Sequence, residues 1–134
     1  MLEANHELFS NVGLTILCGS YEDVLPHIND YQHTFIYLDP PYLPISVTSY
    51  FKQYSNSPFG IKEQEDLKLF CDNLNTMGCR FMLSNSDYKT ENNQSYFARL
   101  YDGYECHMVD AKRFISAHGK RGKGTAEVLI RNYK

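Results

Sequence analysis

The chain has 134 residues, a net charge of −3 and 43% apolar residues, enough for one domain with a core of its own and too few for a second of ordinary size. No apolar run reaches the roughly 18 residues of a membrane span, and the N-terminal stretch MLEANHELFSNVG has neither the basic start nor the apolar centre of a signal peptide. Cys18, Cys71, Cys79 and Cys106 are scattered without a Cys-x-x-Cys pair, which argues against a cysteine metal site and for a reduced, cytoplasmic setting.

In chain order, Leu14 to Gly19 (LTILCG) is apolar and β-branched in part, and predicts a strand. Ser20 is placed to cap a short helix through SYEDVLPHI, with Glu22 and Asp23 suited to its first turn. Thr34 to Asp39 (TFIYLD) predicts a second strand, apolar without alternation, as in a strand buried on both faces of a parallel sheet. Residues 42–60 are long, polar and aromatic without a clean period, the mark of a functional loop. Leu67, Phe70, Leu74 and Met77 then recur at helical spacing, and Gly78 is placed to end that helix. CRFMLSNSD predicts a third strand, NQSYFARLYDG a short helix ending at Gly103, and YECHMVDAKRF with GTAEVLIRNYK two closing strands around a basic, glycine-rich hairpin loop. Strands alternating with helices imply an α/β fold with a mostly parallel sheet and an antiparallel hairpin at its edge.

Charge is unevenly spread. Residues 111–134 carry seven basic residues against Glu127 alone, whereas the rest of the chain carries six basic and fifteen acidic residues. A basic tail on an acidic body is either a solvated surface or a phosphate-facing patch.

The run Asp39-Pro40-Pro41-Tyr42 closes the second predicted strand, at the carboxyl end where ligands of open α/β sheets bind. Both prolines have fixed φ and no N–H, and Pro41 holds Pro40 extended. The result is a rigid corner whose carbonyl oxygens meet no local donor, with a carboxylate and a flat ring beside them. Such a corner suits a primary amine on a heterocycle. Two acceptors on its hydrogens draw the lone pair out of the ring and stabilise the charge that develops on attack at an electrophile.

Asp-Pro-Pro-Tyr at a strand end resembles the catalytic motif of amino-methyltransferases that use S-adenosylmethionine. LSNSD (Leu83 to Asp87) and AKRFISAHGKRGKGTAEVLIRNY are similar to the following strand-end motif and the closing hairpin of the Dam-like, D12-class DNA adenine-N6 methyltransferases, in the same order over residues 14–133. The resemblance implies an α/β fold that is the C-terminal part of a Rossmann-like methyltransferase sheet, with S-adenosylmethionine as cofactor and double-stranded DNA with a flipped adenine as partner. It implies that Asp39 and the Pro40 carbonyl accept the adenine N6 hydrogens, with Pro41 stiffening the corner and Tyr42 stacking on the base. Ser20, Tyr21 and Asp39 then contact the cofactor, Ser20 standing where the family commonly has an acidic residue. Asn85, Arg113, Lys120, Arg121 and Lys123 are expected to face DNA.

Alternatives stay open for several of these residues. Asn85 and Asp87 equally suit the cap of the following helix, and the basic loop residues a solvated hairpin. Phe51, Tyr54 and Phe59 are either loop core or base-stacking groups. The family's Phe-x-Gly-x-Gly turn and target-recognition region have no counterpart in this sequence. Residues 1–134 are therefore expected to form a single, partial catalytic domain, with weak or no activity alone. Self-association through an uncovered edge strand, or a complementing N-terminal half, would complete it. The competing expectation is a non-catalytic DNA-binding or partner module derived from such an enzyme.

Overall fold

The computed structural model describes residues 13–43, 59–90, 92–111 and 125–134. Among them the elements run as a 3-10 helix at Tyr21–His27, strand β1 at Phe35–Leu38, helix α1 at Ile61–Thr76, strand β2 at Arg80–Ser86, helix α2 at Tyr96–Leu100, and strands β3 at Glu105–Ala111 and β4 at Thr125–Arg131. The four strands form one mixed sheet in the order β1-β2-β4-β3.

The predicted sheet was mostly parallel, and this needs correction. Only β1 and β2 pair in parallel, while β2 with β4 and β4 with β3 pair antiparallel. Strands β1, β2 and β3 do point the same way. Strand β4 inserts between β2 and β3 against their direction, and so converts two of the three ladders. The two closing strands pair with each other as expected, and the loop predicted between them lies outside the described residues.

Two further expectations change. Leu14 to Gly19 forms no strand, and Leu14, Ile16 and Leu17 are exposed. Strand propensity is realised only against a partner, and β1 ends the described sheet without pairing to this segment. Strand β1 is also not buried on both faces. Leu38 is buried, but Phe35 and Tyr37 are 54% and 55% exposed. Among the described residues, the helices pack on the face of the sheet that carries Phe81 and Leu83.

That covered face holds the core. Phe81 and Leu83 from β2 and Val128 and Ile130 from β4 meet Leu67, Phe70, Cys71 and Leu74 of α1, with Phe97 and Tyr101 from the α2 region, all buried. The stripe predicted from helical spacing is correct through Leu74, whereas Met77 lies past the helix end and is exposed. Gly78 has φ +83°, a left-handed conformation that ends α1 at little cost for glycine. Helix α2 has five residues, too few to persist alone, and its stability comes from burying Phe97. The side chain of Asn132 ties the bottom of the sheet to α1. It accepts from Phe81 N at 2.8 Å and donates to Asn75 Oδ1 at 2.9 Å and to the Cys79 carbonyl at 2.8 Å.

A second tie links α1 to the start of β3. Asp72 accepts from Lys68 Nζ at 2.6 Å and from the Tyr104 hydroxyl at 2.7 Å. Partial burial pushes the Asp72 carboxyl up, but the bonds from Lys68 and Tyr104 outweigh it and hold its pKa below the ordinary 3.8. A carboxyl depressed by folding contributes stability that is present above its unfolded value and is lost as pH falls through the folded one. The urea midpoint should therefore fall on acidification below about pH 4, and Asp72→Asn should flatten that acid limb by lowering the midpoint near neutral pH, where the ionised carboxyl contributes, and converging with wild type in acid. An unaltered acid limb in the variant would remove Asp72 as its source.

All four cysteines are free. Burial pushes the Cys71 thiol up to about 12, which keeps it protonated and inert, as expected of a reduced core cysteine.

Candidate active site

Strands β1 and β2 run parallel, so their carboxyl ends lie side by side. The chain leaves β1 at Leu38 and enters the Asp-Pro-Pro-Tyr corner directly. Ser84 of β2 reaches across. Its hydroxyl donates to Asp39 Oδ1 at 2.9 Å and accepts from the Tyr37 hydroxyl at 3.0 Å. This aims the carboxylate without neutralising it, since among the described residues Asp39 makes no ion pair. Asp39 is exposed, so its second oxygen remains open to a ligand.

The corner faces a cavity of about 200 Å³ bounded by Tyr21, Tyr37, Asp39, Pro40, Pro41 and Phe59. Its walls are largely aromatic and proline, with the carboxylate as the polar group. Tyr21 begins the 3-10 helix and is held edge-on to Phe70, with ring centroids 5.0 Å apart. Burial pushes its phenol up, so it stays protonated. Burial also raises the Tyr42 phenol. Ser20 is the helix cap, with Asp23 Oδ2 accepting its backbone N–H at 2.8 Å and its own hydroxyl accepting from Glu22 N at 3.4 Å. The structure thus brings Tyr21 and Asp39 to one cavity and leaves Ser20 on the exposed rim of the helix, not on the cavity wall.

Asn85 is placed differently from the expectation of a DNA-facing group. It is fully buried, and its amide oxygen accepts from Leu43 N at 3.3 Å and from Ser86 N at 2.9 Å. Its amide nitrogen donates to Gln64 Oε1 at 3.3 Å. Both ends of the amide are thus bonded inside the protein, and Asn85 is buried away from the surface. Neither Asn85 nor Asp87 caps α2. Ser95 does so, accepting from Ala98 N at 3.3 Å. Asp87 is instead buried, paired to Lys89 Nζ at 2.6 Å. Arg113, Lys120, Arg121 and Lys123 lie outside the described residues, as do Phe51 and Tyr54.

Sequence reading missed the residues that hold the corner in place. Gln64 Nε2 donates to the Pro41 carbonyl at 3.0 Å, and the Ser86 hydroxyl donates to the Leu43 carbonyl. A signal for Gln64 was present, since it precedes Leu67 by three residues and so falls on the buried stripe of α1. A polar residue on an apolar stripe is the informative exception. Nothing comparable marks Ser84 and Ser86, whose roles depend on the register between β1 and β2.

A proline-stiffened corner, an exposed carboxylate bonded to Ser84 and an aromatic cavity thus lie together at the carboxyl ends of the parallel strands β1 and β2. The chain belongs to the D12 class of N6 adenine-specific DNA methyltransferases, whose family model matches residues 1–115. Among curated proteins it is similar to the Type II methyltransferase M.MjaIII of Methanocaldococcus jannaschii, at 39% identity over 95% of this chain and 41% of that protein. It is also similar to the Type II methyltransferase M1.LlaDCHI of Lactococcus lactis subsp. cremoris, at 31% identity over 99% of this chain and 44% of that protein. With the DNA adenine methylase of Escherichia coli K12 it shares 30% identity over 84% of this chain and 37% of that protein. The chain therefore spans about two fifths of the length of these relatives.

Proposed function

We propose that this chain carries the part of a DNA methyltransferase that binds the target base and promotes methyl transfer to the N6 amino group of adenine. The observation that carries the reading is the Asp39-Pro40-Pro41-Tyr42 corner. Its carboxylate is steered by Ser84 yet unpaired among the described residues, and it borders an aromatic cavity at the strand ends. Family membership supports the same chemistry, and the fold is accordingly read as the C-terminal part of a Rossmann-like sheet.

In this reading S-adenosylmethionine, when bound, supplies an electrophilic methyl group. Tyr21 and Phe59 would offer it apolar walls and Asp39 a polar partner, which the composition of the cavity allows. The remaining work belongs to the chain. Asp39 and the Pro40 carbonyl each accept one N6 hydrogen of an adenine turned out of the duplex, and Tyr42 stacks on the ring. The two acceptors favour a tetrahedral nitrogen and stabilise the positive charge that forms on it. The proton then shed is acidic enough for a carboxylate or water to take. Extruding the base costs a few kcal/mol, least where it is already unpaired. Arg113, Lys120, Arg121 and Lys123 would supply phosphate contacts that hold the duplex in register. A DNA substrate is in keeping with a cytoplasmic setting, and similarity to two Type II methyltransferases favours a place in restriction-modification. No helix among the described residues is long and apolar enough to cross a membrane.

The exposed outer face of β1 and the unpaired Leu14 to Gly19 favour completion by a further segment, either an N-terminal half or a second copy. The test is tritium transfer from labelled S-adenosylmethionine to unmethylated duplex DNA, with the chain alone and with the N-terminal half of a relative supplied. Label should appear in N6-methyladenine, more strongly with the half present. Label confined to cytosine, RNA or protein would overturn the substrate. No label in either arm would favour the non-catalytic module.

A further inference from the structure

We propose that Gln64 is a positioning residue for this reaction: with Asn85 it clasps the backbone on both sides of Tyr42 and thereby turns the Pro40 carbonyl toward the reacting amine. The inference rests on the functional reading above.

Gln64 and Asn85 are both fully buried, and burying an amide without partners is costly. Their four amide ends are all used, and chemistry dictates which way each points. The Pro41 carbonyl can only accept, so Gln64 must aim its nitrogen there, at 3.0 Å. The Leu43 N–H can only donate, so Asn85 must aim its oxygen there, at 3.3 Å. The two remaining ends are then a donor and an acceptor, and they meet at 3.3 Å. The pair forms one continuous chain of hydrogen bonds from the carbonyl before Tyr42 to the N–H after it.

Only a carboxamide fits position 64. A carboxylate would set an acceptor against the Pro41 carbonyl, and an ammonium could not accept from Asn85. The geometric consequence falls on Pro40. Proline fixes φ at Pro41, and Pro40 is held extended before it. Anchoring the Pro41 carbonyl at α1 therefore also fixes the direction of the Pro40 carbonyl one peptide back, and among the described residues no donor is bonded to that carbonyl. Neither proline has an N–H with which to hold the corner to the sheet, so the carbonyl and the flanking Leu43 amide carry that task.

The test compares wild type with Gln64→Glu, which keeps the shape and the acceptor but removes the donor. Methylation of unmethylated duplex DNA is measured with the N-terminal half of a relative supplied, alongside hydrogen exchange at the Leu43 amide. At about pH 8 kcat should fall about ten- to a hundredfold, the loss expected when a reacting contact is slightly misplaced, with KM for DNA little changed. A carboxyl in this buried place has a raised pKa, and when protonated it donates again. The deficit relative to wild type should therefore shrink as pH is lowered, which general loosening of the fold would not produce. Relative to wild type at the same pH, protection of the Leu43 amide should drop at high pH and recover at low pH.

Wild-type kcat in Gln64→Glu overturns the positioning role, whether or not Leu43 exchange changes. A loss of kcat with no pH recovery overturns it in favour of a merely structural role. If wild type transfers no methyl group, the functional reading and the catalytic half of the inference both fail, while Leu43 exchange still decides whether the clasp exists. Should Gln64→Glu fail to fold by circular dichroism, Gln64→Met removes the donor without adding charge, and the same loss of kcat and faster exchange are expected. Wild-type values in that variant overturn the proposal.

Discussion

Replacing Asp39 with alanine should lower adenine methylation by about a hundred- to a thousandfold while leaving the chain folded. That factor is typical of removing one preorganised group that stabilises developing charge. The reason for expecting a clean separation lies in the surroundings of Asp39. Its side chain is exposed, and its one described hydrogen bond comes from Ser84 Oγ at 2.9 Å. Losing such a bond costs about 1 kcal/mol, and here water can replace the missing acceptor. The Tyr37 hydroxyl still engages Ser84, so the outer face of the sheet keeps its contacts. Initial rates of methyl transfer with the N-terminal half of a relative supplied, and a urea titration of the chain, check both halves. Undiminished methylation in Asp39→Ala would remove the carboxylate from the chemistry, and with it the main support for the corner as the reacting site.

Phe81→Ala should destabilise the protein by about 3–5 kcal/mol, the usual cost of truncating a buried aromatic ring. Phe81 is fully buried at the start of β2, the strand that pairs with both β1 and β4. Its ring meets Tyr104 edge-on, with centroids 5.2 Å apart, and its backbone N–H is bonded to Asn132. Little around it can collapse into the space, because sheet hydrogen bonds hold its neighbours on either side. Set against a typical total stability of about 5–15 kcal/mol, the loss is enough to leave a sizeable unfolded fraction. The check is the urea midpoint, which should fall with the slope of the transition unchanged. A shift below about 1 kcal/mol would mean that the Phe81 site relaxes, contrary to the packing described.

Several features are readable from local chemistry because the physics that creates them is local. Helical spacing of Leu67, Phe70 and Leu74 locates α1, and Gly78 its end, since a periodic apolar stripe and a left-handed glycine act within a turn or two of chain. Ser20 is readable as a cap for the same reason, as a hydroxyl next to free backbone N–H groups. Leu14 to Gly19 shows the limit, because apolar and β-branched residues make a strand only where another strand pairs with them. Asn85 shows a second limit. In the sequence it is a polar residue at a strand end, equally suited to DNA, a cap or the interior. Only the approach of Gln64 from α1 and Leu43 from the corner commits its amide to the core.

The amino-acid sequence by itself determined the α/β class, the proline corner after β1 and the family, because proline geometry, helical periodicity and ordered motifs are properties of the chain. The tertiary structure alone decided the antiparallel place of β4, the open face of β1, and the inner supports Ser84, Gln64, Asn85 and Ser86 around Asp39 to Leu43. Those are contacts between residues more than 20 positions apart, and such contacts exist only once strand register and helix docking have brought the partners within bonding distance.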